Sequence, residues 1–335
     1  MSTVKATNFQ HASAANPAIV LAADGSATAN VSAINNGPLA GMRNAIINGN
    51  FDFWQRGTSQ TAAGYGSADR YASNRVGTTC TMSRQAFTLG QTDVPGEPTY
   101  FCRMAVTSVA GAGNLSLLEQ KIEGVRTFAG QQVTVSFWVK ADAAKPISVE
   151  LVESFGSGGS PSSGVDALGV SKVTLSTSWQ KITTTVTLPS ISGKTLGSDN
   201  NDAIVLRIWF DAGSTYNTQT DSLGQQSGTF DIAQVQVEPG PVATPFERRP
   251  IGTELALCQR YYHLLRQSMY SSGNASIARV HVQFPTSMRT TPTVSLTTGA
   301  GGALDWACPE FAQFFKGGAG VEILVTPPTT FTAEL

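Results

Sequence analysis

The stretch that most constrains this chain is QVTVSFWVKA, residues 132–141. Val133, Val135, Phe137 and Val139 fall on one side of a period-two pattern, and Thr134, Ser136, Trp138 and Lys140 on the other. That separation predicts a central strand with one buried face. Ala129, Gly130 and Gln131 read as the turn that delivers the chain into it. Pro146 follows soon after its end, where a missing backbone donor is tolerated.

The same logic extends in both directions. Residues 79–89, 99–108, 147–155, 203–210 and 229–238 alternate as strands, and residues 172–188 carry two strands around Ser176 to Ser178. LSLLEQKIEG at 115–124 is ambiguous between a helical turn and a strand, and its β-rich surroundings favour the strand. NAIINGNFDFWQRGTS at 44–59 reads as strand, tight bend and strand edge, with Phe51 and Phe53 sharing a face. About ten strands between residues 44 and 250 predict two packed antiparallel sheets, an all-β jelly-roll-like sandwich.

The segments outside differ in composition. Residues 1–43, rich in Ala, Ser and Asn, cannot build a core and read as an arm or attachment segment. The sandwich is assigned to 44–238 and a Pro-rich extended linker to 239–252. A small C-terminal β domain follows at 253–335, with strands at 277–284, 294–298 and 321–326, and it is small enough to need a neighbour or another subunit. Thr253 can cap a short helix, because Leu255, Cys258, Tyr262, Leu265 and Met269 follow helical spacing, although CQRYYHLL also reads as a strand.

Charge and motif content argue mainly by exclusion. Twenty-two basic and 23 acidic residues leave a net charge of −1, so no long-range field draws the chain to nucleic acid or to an anionic membrane. No apolar run is long enough to span a bilayer. Cys80, Cys102, Cys258 and Cys308 are too widely spaced for a metal knuckle and read as free, mostly buried thiols. His11, His263 and His281 lack metal spacing, no serine sits in a nucleophile elbow, and GAGG at 299–302 and GGAG at 317–320 lack the lysine of a phosphate loop and read as turns. Glu119 with Glu123, and Glu150 with Glu153, read as charge on solvated strand faces rather than as paired glycosidase carboxylates. Asp69 and Arg70 likewise read as solvated charge.

NAIINGNFDFWQRGTS, ADRY at 68–71, IEGVRTFAGQQVTVSFWVKA at 122–141, FDIAQVQVEPGPVATPFERRP at 230–250 and ELALCQRYY at 254–262, in this order, resemble the distal part of tailed-bacteriophage tail fibre proteins, in which a carbohydrate-binding-module-like jelly roll precedes a small β domain. The resemblance spans roughly residues 40–335. It implies a non-enzymatic virion tail fibre or tip protein, assembled in the host cytoplasm, that recognises bacterial surface polysaccharide as a homo-oligomer, with a trimer favoured and other phage tail proteins as partners. A purely structural tail component and a polysaccharide depolymerase fibre are the alternative readings. The absence of a long repeat or coiled coil before residue 40 departs from the usual fibre.

Candidate ligand residues follow from aromatic chemistry, since sugar rings stack on Trp and Tyr faces while polar side chains take the hydroxyls. Trp138 and Trp209 lie opposite the apolar faces of their strands and, with Arg207, can line the concave surface of one sheet; packing under loops or against a subunit is the competing reading. Tyr65, Tyr71, Tyr216 and Asn217 form a second, loop-borne set. No cofactor is required. Asp231 shares parity with Ala233, Val235 and Val237, which puts a carboxylate on the core side of the closing strand and demands a partner. An arginine or backbone groups can supply it. Related sugar-binding jelly rolls imply instead a structural Ca2+, with Asn50, Asp52 and Asp231 as equivalents.

Overall fold

The computed structural model describes residues 8–9, 19–23, 27–29, 41–266, 268–272, 277–296, 302–317 and 322–335. Three short strands, β1 (Asn8–Phe9), β2 (Ile19–Leu21) and β3 (Ala27–Ala29), pair as a small antiparallel sheet near the start of the chain. Most of the rest of the arm, and most of the two glycine-rich turns at 299–302 and 317–320, lies outside the described residues.

Eleven strands build the sandwich: β4 (Ser59–Gln60), β5 (Ala72–Val76), β6 (Thr79–Ala86), β7 (Tyr100–Thr107), β8 (Leu115–Glu123), β9 (Gln132–Ala141), β10 (Lys145–Ser154), β11 (Val165–Leu175), β12 (Gln180–Thr187), β13 (Ala203–Ala212) and β14 (Gly228–Pro239). They form a five-stranded sheet, β11-β10-β13-β8-β5, and a six-stranded sheet, β12-β9-β14-β7-β6-β4, all paired antiparallel. From β8 onward the chain passes repeatedly from one sheet to the other, as in a jelly roll. Val133, Val135, Phe137 and Val139 of β9 meet Ile147, Val149 and Leu151 of β10 and Ile204, Leu206, Ile208 and Phe210 of β13 in one core between the sheets. The alternation of 132–141 therefore does what it predicts, and 115–124 is a strand.

Several expectations are corrected. Residues 44–58 carry no strand; they wind through a turn at 47–50, with Asn48 and Phe51 at positive φ, and the Phe51 ring enters the core. The segment still joins the sheet, because the Ala45 N–H donates to the Val237 carbonyl and the Val235 N–H to that of Gly49, each at 2.8 Å. A Cβ at Gly49 would sit 2.2 Å from the Val235 carbonyl oxygen, so only glycine permits this approach. On β14, Gln234 (φ 51°) opens a bulge between the pairs Ala233–Trp138 and Gln236–Ser136. Phe230 and Ile232 point into the core before it and Val235 and Val237 after it, so Asp231 and Ala233 lie on the outer face, not the core side.

Three of the four paired glutamates are buried, not solvated, and Glu123, which stays partly exposed, is ion-paired. Glu119 and Glu150 are buried and both reach Arg207, and Glu123 accepts hydrogen bonds from Arg260 and the Tyr261 hydroxyl. Glu153 is wholly buried, with neither carboxylate oxygen hydrogen-bonded. Asp69 and Arg70 are also 1% exposed: Asp69 takes the backbone and side-chain N–H groups of Gln55, while Arg70 binds Glu334 and the Lys121 carbonyl and stacks 3.5 Å over Tyr261.

The 239–252 segment is a strap, not a free spacer. Thr244 donates to Glu238 through its N–H (2.9 Å) and its hydroxyl (2.6 Å), and Glu247 receives the Asn44 N–H at 2.8 Å. The helix Ile251–Gln259 follows Pro250, so Thr253 lies within its first turn instead of capping it. It ends at Gln259, short of the spacing read through Met269, and the chain goes directly into β15 (Tyr262–Leu264). Beyond it, β16 (Met269–Ser272), β17 (Ile277–Gln283), β18 (Thr293–Ser295), β19 (Ala303–Ala307), β20 (Phe311–Gly317), β21 (Glu322–Val325) and β22 (Thr330–Thr332) make three small sheets around a separate core of Val280, Phe314 and Phe331. This part finds its neighbour within the chain: Glu334 receives Arg56 and Arg70 of the sandwich. Cys80, Cys102, Cys258 and Cys308 are all free, the first three buried. Among the described residues no helix is long and apolar enough to cross a membrane.

Candidate functional site

The outer face of the six-stranded sheet carries the side chains that the core alternation turns outward. Register aligns Lys181 of β12, Trp138 of β9 and Ala233 of β14 in one row, and Lys140, Asp231 and Arg103 in the next. Beside the first row, Val94, Phe101 and Ala233 are buried beneath Phe87, Trp138 and Trp179, with Phe101 edge-on to Trp179 at 5.4 Å. Trp138 packs against this cluster and stays partly exposed.

Trp138 looks into a hollow of about 500 Å³. Lys181 and Gln234 complete its sheet side, Pro95 and Gly96 come from the loop before β7, and Pro245, Phe246 and Arg248 come from the strap. The bulge is what aims Gln234 here; its Nε2 donates to the Pro95 carbonyl at 2.6 Å. Lys181 Nζ donates to the Thr244 carbonyl at 3.3 Å and Arg248 Nη1 to that of Gly96 at 3.1 Å. Burial pulls the Lys181 ammonium below its ordinary value, against the opposing charge of Glu238. Asn50 lines the same hollow, and its amide donates to both oxygens of Asp52, at 3.2 and 3.0 Å. Burial pushes the Asp52 carboxyl up, opposed by that amide and by the Arg248 charge. An apolar, aromatic-floored hollow with amide and cationic groups on its walls can bind a polar ring compound; it presents no nucleophile paired with a base.

The structure separates the residues that the sequence groups. Trp209 sits on the other sheet, facing the opposite side of the sandwich. It is 2% exposed, lies among Leu115, Leu117, Ala212 and Leu223, packs 5.3 Å from Tyr216, and donates its indole N–H to Glu150 at 3.1 Å. Arg207 is held by Glu119 at 2.9 Å and by Glu150 and Asp166 at 3.3 Å. Trp209 and Arg207 thus share β13, on the sheet opposite Trp138, and covering by a loop is the reading that holds for Trp209. Tyr71 stacks on Phe51 at 4.6 Å inside the core. Tyr65 is half-buried under Arg56, and burial pushes its phenol well up. Asn217 is exposed at the start of helix α1 (Asn217–Thr220). Of these residues only Trp138 opens onto a hollow with Asn50.

Asp231 has the arginine partner: Arg103 clasps both its oxygens, at 2.7 and 2.8 Å, and Lys140 stands at 3.8 Å. A calcium ion there would meet two positive groups already on its carboxylate, so Asn50, Asp52 and Asp231 do not fit such an ion. Among the described residues no three His, Cys, Asp or Glu side chains gather as a metal set.

Sequence reasoning missed Lys181, Gln234, Phe246 and Arg248. The bulge that aims Gln234 leaves no mark on the alternation, whereas the aromatic and arginines within the proline-rich TPFERRP were a usable signal that the segment packs.

No curated protein matches the chain. Among solved structures it is similar to a CBM4 structure, at 17% identity over 58% of this chain and 98% of that one, with a TM-score of 0.31. It is also similar to a family 11 carbohydrate-binding module from Clostridium thermocellum, in complex with a mixed-linked tetrasaccharide (11%, 56% and 98%, 0.31). A third is the enzymatically active domain of tailspike protein 4 of bacteriophage CBA120 (10%, 63% and 24%, 0.35). Residues 119–197 match the family model of a carbohydrate binding domain, and that span contributes both Trp138 and Lys181 to the hollow.

Proposed function

We propose that this chain is a non-enzymatic glycan-binding protein of a phage virion tail, a fibre or tip protein that holds bacterial surface polysaccharide in the Trp138 hollow and works as a homo-oligomer, with a trimer favoured. The observation that carries the binding reading is the partly exposed Trp138, packed against the cluster of Val94, Phe101 and Ala233, in a hollow walled by Asn50, Gln234, Lys181 and Arg248. A ring already packed on a buried cluster loses less freedom than a free one when a sugar stacks on it. The match of residues 119–197 to a carbohydrate binding domain supports the ligand class. The tail assignment rests on the ordered motifs of the sequence, and assembly into an oligomer would add avidity to weak single sites.

The test is an array of bacterial surface polysaccharides probed with the purified chain, followed by calorimetry on the best binder. Saturable binding that Trp138→Ala weakens at least about tenfold, with Tyr216→Ala unaffected, is the expected result. Absence of saturable binding to any polysaccharide, or binding indifferent to Trp138→Ala, would overturn it. Light scattering that returns a monomer at micromolar concentration would reject the trimer.

A further inference from the structure

Many cations of the molecule are ion-paired, whereas Lys181 and Arg248, like Arg75 and Arg289, bind backbone carbonyls. Arg43, Arg56, Arg70, Arg207, Arg249 and Arg260 each stand within 4.0 Å of a carboxylate, and so do Arg103 and Lys140 on the same sheet face as the hollow. Lys181 and Arg248 do not: the hydrogen bonds described for them go to the backbone carbonyls of Thr244 and Gly96. Each such bond engages one N–H of a group that has three (Lys) or five (Arg). No carboxylate lines the hollow.

The nearby carboxylates are otherwise engaged. Asp231 is clasped by Arg103, Glu238 by Arg43 and Thr244, and Glu247 by the Asn44 N–H. Glu97, beside rim residue Gly96, takes the Gly90 N–H at 3.3 Å, and Asp52 takes the Asn50 amide. The lining thus carries two positive charges and no negative one, in a chain whose net charge is −1. The excess is local, and it sits where burial already disfavours one of the two charges. Glu238 acts on Lys181 and Asp52 on Arg248 only at longer range, without a direct ion pair, and a partially desolvated cation in that state is a cost that an anionic ligand reduces.

We infer that the Trp138 hollow selects an acidic saccharide: a sugar ring stacked on Trp138 whose carboxylate or phosphate ester is held between Lys181 and Arg248, with the amides of Asn50 and Gln234 on its hydroxyls. The inference rests on the glycan-binding reading above and adds the charge of the ligand. Arginine suits this task through its planar fork and lysine through a compact ammonium, so the pair accommodates either type of anion.

The experiment compares matched polymers on the full chain by calorimetry. One arm uses polygalacturonate and alginate against the same polymers after reduction of their carboxylates to primary alcohols, and a second uses a phosphomannan against its dephosphorylated form. At least one acidic form is expected to bind about tenfold or more tightly than its neutral counterpart. That preference should shrink as salt rises from 50 to about 500 mM. It should also disappear in Lys181→Met with Arg248→Met, whose melting temperature reports whether the fold is kept, while Lys181→Arg retains most of it. Neutral forms that bind as well as the acidic ones, or acidic polymers that do not bind while neutral surface glycans do, would overturn the acidic inference and leave the glycan-binding reading standing. Acidic binding that survives both Trp138→Ala and the double substitution is attraction elsewhere on the surface and also overturns it. No binding to any glycan, neutral or acidic, defeats the glycan-binding reading itself.

Discussion

Trp138 and Trp209 occupy equivalent places in the pattern of the chain, each an outward-facing indole on a strand whose other face is core, yet they meet opposite fates. Over Trp209 the chain folds back through residues 212–223, seals the ring, satisfies its N–H with Glu150, and saturates the neighbouring Arg207 with three carboxylates. Around Trp138 the loop at 95–96 and the strap at 243–248 form a rim instead of a lid, and the cations there keep carbonyl partners only. Strand periodicity decides which side chains leave the core; the connections decide whether they become packing or a site.

The comparison can be broken most severely at the sealed ring. Trp209→Ala should cost about 3–5 kcal/mol of stability, because it empties a closed pocket and leaves Glu150 without its indole donor; denaturant unfolding measures this. Trp138→Ala should cost only about 1–2 kcal/mol of stability, since the residue is already partly exposed, while weakening glycan binding at least about tenfold. Equal losses of stability at the two positions would end the distinction.

Glu153 sharpens the contrast from the core side. Burial raises its carboxyl above the ordinary 4.5, against the opposing charge of Lys194. The unfolded chain therefore sheds this proton at lower pH than the native state does, and native stability falls as pH rises from the unfolded value through the raised native one. Glu153→Gln should raise the melting temperature at pH 7, and the gain should fade toward about pH 4, where both states are protonated. A loss of stability at pH 7 would show that the charged form is supported in the native state. The smallest effect is expected from excess chelator: with Asp231 clasped by Arg103, the melting temperature should not move, and a fall would reinstate a structural cation.

Much of the sandwich was legible because its strands alternate, loosely at Thr79–Ala86 and Tyr100–Thr107 and clearly at Gln132–Ala141. The site was legible only at Trp138. Arg70 and Glu150 looked like surface charge, since a sequence shows that a residue is ionisable but not that a distant partner, Glu334 for one and Arg207 for the other, comes to meet it. Residues 44–58 misled for a related reason. Ile46, Ile47, Phe51 and Phe53 suggest strand, but their backbone is held by the side chains of Asn44 and Asn48 and by the Gly49 approach to Val235, contacts specific to this fold. Parity along β14 failed at a single residue, Gln234, whose left-handed backbone resets the alternation.

That reset amounts to a phase shifter built into one strand. Before Gln234 the outward positions Asp231 and Ala233 are odd-numbered, and after it the odd-numbered Val235 and Val237 are inward, so one continuous strand serves two surfaces that a uniform strand could not. Removing one residue there would restore a single phase. Either Asp231 would then be driven into the core or Val235 and Val237 would be turned out beneath the strap, and the floor and the rim of the hollow could no longer be in register at the same time.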